Sequence, residues 1–316
     1  MNRRFIASAL TSILLAAGFM TGAASAQSQP NPIWCGLWTG ANLNVTSIPH
    51  CASSNAGSTN SNNQNTTPPA SGTYASLGDS VAAGLGLPLS SNPTSSDTQC
   101  GRSPFGYPGI VAANLNLPLQ NLACSGATAG DLVTQQRTSG PNPSAQLNIA
   151  FAGGTPRLIT ITAGANDVHW QDFIRACYTT DCTSSMYTTL ANTYLSVLRL
   201  KLQYVFSSIQ SRSSGAPPEV IVSGYYNPVS TACSTITPQI TPAELSWIQQ
   251  QTSALNSTIQ NTTAAYSFAK FVPFNFTDHD ACSSDPWVQG MQDAAPFHPT
   301  IRGQQAIANA VISALR

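Results

Sequence analysis

Charge is what this sequence of 316 residues has least of. Only 8 % of its side chains are charged, 12 basic and 12 acidic, and the net charge is zero with histidine neutral. There is no basic field to hold a nucleic acid and no polybasic patch to bind an anionic membrane. Past the first turns of the amino terminus, no segment approaches the roughly 18 continuous apolar residues that a membrane helix needs. No C-x-x-C and no paired Cys/His spacing occurs, which sets zinc aside. Internal repeats are absent as well. With so few charges, the surface must be coated by Ser, Thr, Asn, Gln and Gly, a composition that suits an exported protein.

What is present agrees with export. Arg3 and Arg4 form a basic start, Phe5 to Phe19 an apolar stretch, and Ala24-Ser25-Ala26 a small-residue cleavage site. Residues 1–26 are therefore expected to be a signal peptide. An uncleaved anchor is the competing reading, but the apolar run is short for a span. The eight cysteines, an even number, fit disulfides in an oxidising compartment, extracellular or periplasmic.

Residues 27–72 read as an appendage. Trp34, Cys35 and Trp38 precede Cys51, and from Ser53 the chain is almost wholly Ser, Asn, Thr, Gln, Gly and Pro. Such a stretch cannot bury a core and is expected to be a linker. The two tryptophans would pack on the main domain or, alternatively, present a face to a sugar or a partner.

Residues 73–316 alternate between strand and helix signals. Tyr74 to Leu77, Leu119 to Ala123, Leu158 to Thr162, Glu219 to Ser223 and Phe271 to Phe274 read as strands. Pro108 to Leu115 and Met186 to Gln210 read as helices, the latter from apolar groups at helical spacing. Thr241-Pro242-Ala243-Glu244 is a capping box opening a helix towards Phe268, and Thr300 to Leu315 closes the chain. This alternation predicts an α/β fold with a parallel sheet covered on both faces.

In such sheets the site lies beyond the carboxyl ends of the strands. Three landmarks fall there: Gly78-Asp79-Ser80, Cys124-Ser125-Gly126-Ala127-Thr128, and Gly164-Ala165-Asn166-Asp167. A fourth, Phe297-His298-Pro299, precedes the last helix. Acyl transfer needs a nucleophile, a base and donors aimed at the developing oxyanion. Ser80 is the candidate nucleophile, with its own amide as one donor. Gly126 can bring a bare backbone N–H to a substrate, and Asn166 offers an amide side chain. Of the four histidines, His50 lies in the appendage and His279 in an aspartate-rich loop. By position His298 ranks ahead of His169 as the base. The apolar loops at Leu85 to Pro93 and Ser139 to Ala152 are candidates to line an acyl pocket.

These blocks, in this order, resemble those of the SGNH (GDSL) hydrolase superfamily. Cys100-Gly101-Arg102-Ser103 with Tyr107-Pro108, and Trp287-Val288-Gln289-Gly290 before the histidine, are similar to the secreted actinomycete-type esterase, lipase and phospholipase branch. The resemblance covers residues 73–316. It implies a flavodoxin-like three-layer α/β/α fold with a central parallel sheet. It also implies Ser80 as nucleophile, His298 as general base, and Ser80, Gly126 and Asn166 as the oxyanion hole. Disulfides Cys100–Cys124, Cys177–Cys182 and Cys233–Cys282 are implied too, leaving Cys35 with Cys51. Asp79 and Asp167 would be structural acceptors.

The chain departs from the superfamily where an aspartate is usual, three residues before the histidine. Ala295 stands there, so its carbonyl is the expected third member of the catalytic group, with Asp293 as the alternative. The resemblance thus implies a secreted serine carboxylester hydrolase acting on small-molecule or lipid esters through an acyl-Ser80 intermediate. It would need no metal or organic cofactor, bind no nucleic acid, touch lipid surfaces transiently and be a monomer. A carbohydrate acetyl esterase, with Trp34 and Trp38 on a tether, is the alternative. A non-catalytic binding protein that keeps the fold is the reading from outside enzymes.

Overall fold

The computed structural model describes residues 72–134, 144–230, 233 and 239–316. The expected signal peptide, nearly all of the appendage and the Cys35–Cys51 bridge lie outside the described residues.

Five short runs of apolar and β-branched residues make the sheet: β1 (Tyr74–Gly78), β2 (Leu119–Asn121), β3 (Leu158–Thr162), β4 (Glu219–Ser223) and β5 (Ala269–Val272). All neighbours are parallel and the order is β2-β1-β3-β4-β5. Every residue of β1 and β3 is buried, as expected of strands covered on both faces. The strand order reverses at β1, so the crevice at the ends of β1 and β3 is the switch point where α/β sheets bind ligands.

Helices α1 (Ser80–Ala83), α2 (Ser95–Cys100) and α3 (Tyr107–Leu115) connect β1 to β2. Helix α4 (Gln146–Ala150) precedes β3; α5 (Trp170–Thr179) and α6 (Ser185–Arg212) follow it. Helix α7 (Pro242–Thr263) and the closing α8 (Ile301–Ala314) complete the set. Helix α3 packs with α8, and α6 packs with α7, giving the helical layers of an α/β/α sandwich. Thr241 and Glu244 form the expected reciprocal cap of α7, Glu244 N–H donating to Thr241 Oγ1 at 3.3 Å and Thr241 N–H to Glu244 Oε2 at 2.8 Å.

The core is one large apolar cluster around the sheet, with a second under α5 and the starts of α6 and α7. A row of hydroxyls runs through the main core beside α3. Tyr74 Oη lies 2.8 Å from Thr160 Oγ1, and Tyr107 Oη 2.9 Å from Thr162 Oγ1, itself 2.6 Å from Ser223 Oγ. Pairing off these buried groups avoids the cost of leaving them dry and unbonded.

Several boundaries differ from the sequence reading, and α7 stops at Thr263, short of Phe268. β5 starts earlier and stops at Val272, because Pro273 has no N–H to continue the ladder. β2 is shorter than read, although the Leu122 and Cys124 amides still donate to Ser76 and Gly78 carbonyls at 2.8 and 2.9 Å. Helices α1, α2 and α4 carry too few turns to show a period of 3.6, whereas α5, with ten residues, is long enough yet absent from the sequence reading.

Candidate active site

The first strand-end turn is set by Gly78. Its φ is 133°, and a Cβ there would lie 2.1 Å from the Thr162 carbonyl oxygen, so only glycine lets β1 end this close to β3. The buried Gln146 side chain clamps the same residue, accepting its N–H at 2.8 Å and donating to its carbonyl at 3.0 Å. Asp79 then caps α1 through Oδ1, which accepts the Val81 N–H at 2.9 Å, while Oδ2 accepts the Tyr225 hydroxyl at 2.6 Å. Burial pushes the Asp79 carboxyl up to about 7, and the Tyr225 and Val81 bonds hold it from rising further. Ser80 is thus delivered at the first position of a helix, at the end of a buried strand.

The second turn carries Gly126 with φ 81°. It is tied back by the Cys100–Cys124 disulfide and by Arg102 Nε, which donates to the Ala123 carbonyl at 2.8 Å. The third turn carries Asn166, whose Nδ2 donates to the Ala127 carbonyl at 2.8 Å and so joins the second turn to the third. Asp167 pins both: it accepts the Ala129 N–H and the Lys201 ammonium, each at 2.8 Å. Among the described residues the backbone N–H groups of Ser80 and Gly126 find no backbone acceptor.

The fourth element is a loop. His298 Nε2 lies 2.7 Å from Ser80 Oγ. Its other nitrogen, Nδ1, lies 3.1 Å from the Pro296 carbonyl. The carbonyl bonded to Nδ1 is that of Pro296, one residue after the expected Ala295, whose own carbonyl also bears on the ring. The Ala295 carbonyl accepts the backbone N–H of His298 at 3.1 Å, and Asp293 Oδ2 accepts the Gly290 N–H at 2.7 Å. The physical reason is Phe297, whose φ of 67° folds the chain back so that the carbonyl two residues before the histidine faces its ring. Burial pushes the imidazole below its ordinary value, while the Pro296 and Ala295 carbonyls pull it partly back up.

The remaining histidines stand apart. His169 is exposed, 3.3 Å from Asp172. His279 stacks on Trp287 at 3.8 Å between centroids, with Nδ1 2.9 Å from the Asp285 carbonyl. His50 lies outside the described residues.

Ser80 and His298 open into a cavity of about 60 Å³ walled by Trp170, Leu255, Phe297, Tyr225 and Tyr226. Its walls therefore come from α5, α7 and the loops after β4 and before α8. Neither Leu85 to Pro93 nor the described part of Ser139 to Ala152 contributes. A metal has no evident seat among the described residues: Cys233, Asp280 and Cys282 cluster, but the two sulfurs are bonded to each other. The Cys177–Cys182 bridge joins α5 to the turn that precedes α6. Gln146, Gln289, Tyr225 and Tyr226 escape a sequence reading because isolated Gln or Tyr residues look like surface or core. Of these, only Gln289 falls within a block that carries the family resemblance, Trp287-Val288-Gln289-Gly290.

The sequence model of the GDSL-like Lipase/Acylhydrolase family matches residues 76–306, spanning all four landmarks. Lipase 1 of Streptomyces coelicolor is 30 % identical over 248 residues, covering 75 % of this chain and 84 % of its own. The crystal structure of an extracellular lipase from Streptomyces rimosus superposes with a TM-score of 0.63 at 26 % identity, covering 77 % of this chain and 100 % of that one. Phospholipase A1 from Streptomyces albidoflavus gives a TM-score of 0.59 at 26 % identity, covering 77 % and 99 %. With strand order, landmarks and a serine–histidine contact all in agreement, this chain belongs to the GDSL-like lipase/acylhydrolase family and is a serine ester hydrolase.

Proposed function

We propose that Ser80 is the nucleophile of this hydrolase and His298 its general base. The observation that carries the reading is the 2.7 Å contact between His298 Nε2 and Ser80 Oγ in a buried, apolar-walled cavity. As Ser80 Oγ forms its bond to the ester carbonyl carbon, Nε2 takes the hydroxyl proton. The carbonyl π bond opens onto oxygen, and the Ser80 and Gly126 amides with Asn166 Nδ2 stabilise the resulting oxyanion. Asn166 has one amide hydrogen committed to Ala127 and a second for this task. When the tetrahedral adduct collapses, the alkoxide leaves with the proton from Nε2 as the alcohol, giving acyl-Ser80. Water, deprotonated by the same nitrogen, then releases the acid.

The Pro296 carbonyl supports the role of His298. Accepting from Nδ1–H, it selects the tautomer with a free electron pair on Nε2, the work an aspartate does in a full triad. A neutral carbonyl stabilises an imidazolium less than a carboxylate would, so this group is a dyad with a backbone support.

The substrate proposed is an acyl ester of a lipid or small alcohol, as the names of the Streptomyces relatives suggest. The aromatic wall of the cavity suits an acyl chain. Export through the leader at residues 1–26 fits the disulfides of the described residues, and no described helix is long and apolar enough to cross a membrane. We read residues 27–72 as a separate appendage to a catalytic domain of residues 73–316.

Hydrolysis of p-nitrophenyl esters from acetyl to palmitoyl tests the reading. Ser80→Ala is expected to abolish turnover on every chain length and labelling by a fluorophosphonate. A variant that still turns over at the wild-type rate would defeat it.

A further inference from the structure

Strand β4 is followed by Gly224-Tyr225-Tyr226, and the two tyrosine hydroxyls go to different parts of the site. Tyr225 Oη donates to Asp79 Oδ2 at 2.6 Å and accepts the Ala165 N–H at 3.2 Å. Asp79 immediately precedes Ser80, and Ala165 immediately precedes Asn166. Tyr226 Oη donates to the Phe297 carbonyl at 2.8 Å, and Phe297 immediately precedes His298. Each of these three site residues is therefore preceded by a residue that this dipeptide holds.

The dipeptide is itself held. Asn256 of α7 closes a two-point clamp on the Tyr225 backbone, accepting its N–H at 2.7 Å and donating to its carbonyl at 2.8 Å. The Tyr226 ring stacks on Phe276 with centroids 4.5 Å apart. Both rings are buried and wall the cavity, so neither can swing away without opening it. Burial, with the Asp79 charge nearby, pushes both phenols well above their ordinary value. Their hydroxyls stay protonated wherever the enzyme works.

We propose that Tyr225 and Tyr226 are positioning residues that set the register of the site. Tyr225 fixes the nucleophile turn against the turn carrying the Asn166 oxyanion donor. Tyr226 fixes the loop carrying the base. Simple core hydroxyls would not need to choose three partners that each adjoin a reacting group. The inference rests on the Ser80–His298 reading.

Tyrosine-to-phenylalanine changes keep the rings and remove only the hydroxyls. Tyr225→Phe is expected to lower kcat on p-nitrophenyl esters by about 10- to 100-fold with KM within about twofold, since misplacement near 1 Å costs on that order. Tyr226→Phe is expected to lower kcat by about tenfold. It should also move the acid limb of kcat/KM to higher pH, because a loosened imidazole regains water. Tyr74→Phe is the control. It removes an equally buried hydroxyl bond, to Thr160, and should leave kcat unchanged.

Thermal unfolding reports on folding of each variant. Should Tyr225→Phe fail to fold, Asn256→Ala reads the same link, freeing the Tyr225 backbone, and is expected to show the same fall in kcat at constant KM. Wild-type kcat in both folded tyrosine variants, with Ser80→Ala inactive, would overturn the positioning role alone. A fall in kcat with Tyr74→Phe as large as with Tyr225→Phe would reduce that role to general packing. Full turnover in Ser80→Ala would remove the serine mechanism and this inference with it.

Discussion

The turn carrying the proposed nucleophile and the histidine loop meet at the 2.7 Å contact between Ser80 and His298, yet they are built by different means. The turn takes its geometry from the sheet. Gly78 pairs with Thr162, a Gln146 clamp holds it, and Asp79 starts a helix one residue on. The loop between β5 and α8 contains no helix and no strand, only an isolated bridge between Val288 and Pro299. Gln289 organises it. Its Nε2 donates to the carbonyls of Leu85 and Pro299 at 3.0 and 3.1 Å, and its Oε1 accepts the Ala295 N–H at 3.1 Å. Leu85 belongs to the nucleophile side, so this one side chain also crosses between the two regions. A nucleophile can inherit its place from a rigid strand, whereas a base on a loop needs side chains to freeze it.

That contrast can be broken outright. Ser80→Ala and His298→Ala should each cost about 10⁴-fold or more in kcat, and the double variant little beyond either, because groups acting as one unit are not additive. Additive losses would mean that the two regions work independently. Asn166→Ala probes the sheet side more gently, with an expected loss of about 10²- to 10³-fold in kcat, the usual cost of one oxyanion donor. Measured KM should barely move.

The loop side is sharpened by Gln289→Ala. Three polar groups lose a partner, and unpaired buried groups cost about 1–3 kcal/mol each, so a lower Tm is expected together with a kcat loss of about tenfold. A Tm change with full kcat would show that Gln289 stabilises the loop without positioning His298. Titration offers a finer test. His298, the proposed base, must be neutral to accept a proton, and burial holds its pKa below the ordinary histidine value. The acid limb of kcat/KM should therefore fall at lower pH than a solvated imidazole would give. A limb at or above about 6.5 would indicate a wetter or carboxylate-supported ring. The smallest effect is expected from Asp293→Asn. That side chain serves Gly290, and its amide oxygen can still accept, so kcat should stay within about twofold. A loss near 10⁴-fold would instead reveal a triad aspartate.

The same contrast explains what the sequence discloses. β1, β3 and β4 announce themselves by continuous apolar runs, and α6 and α7 by length, periodicity and a capping box. Because the turns carrying Ser80, Gly126 and Asn166 sit at strand ends, locating the strands locates them. The loop gives no periodic signal. Its histidine was identifiable by position and by family resemblance, but its support was not. Whether Ala295 or Pro296 presents a carbonyl to Nδ1 depends on the left-handed turn at Phe297, a non-glycine residue whose sequence does not advertise it. Gln146 and Gln289 act from buried positions, 1 % and 5 % exposed, that a polar residue type does not suggest. Their bonds reach across 68 and up to 204 positions of chain, beyond any local pattern.

The placement of the disulfides separates the two ends of the molecule. Cys100–Cys124, Cys177–Cys182 and Cys233–Cys282 all lie in connections that leave the carboxyl ends of strands. No described bridge crosses the opposite edge, where the sheet is held by packing and backbone hydrogen bonds such as Tyr74 N–H to the Pro118 carbonyl and Arg157 N–H to the Thr73 carbonyl. Covalent reinforcement is thus concentrated where the chain is least regular and most needed for catalysis. Reducing agents would accordingly loosen the working end before the scaffold. Inactivation by a thiol should run ahead of the loss of helical signal, and returning the oxidant should restore activity without a refolding step.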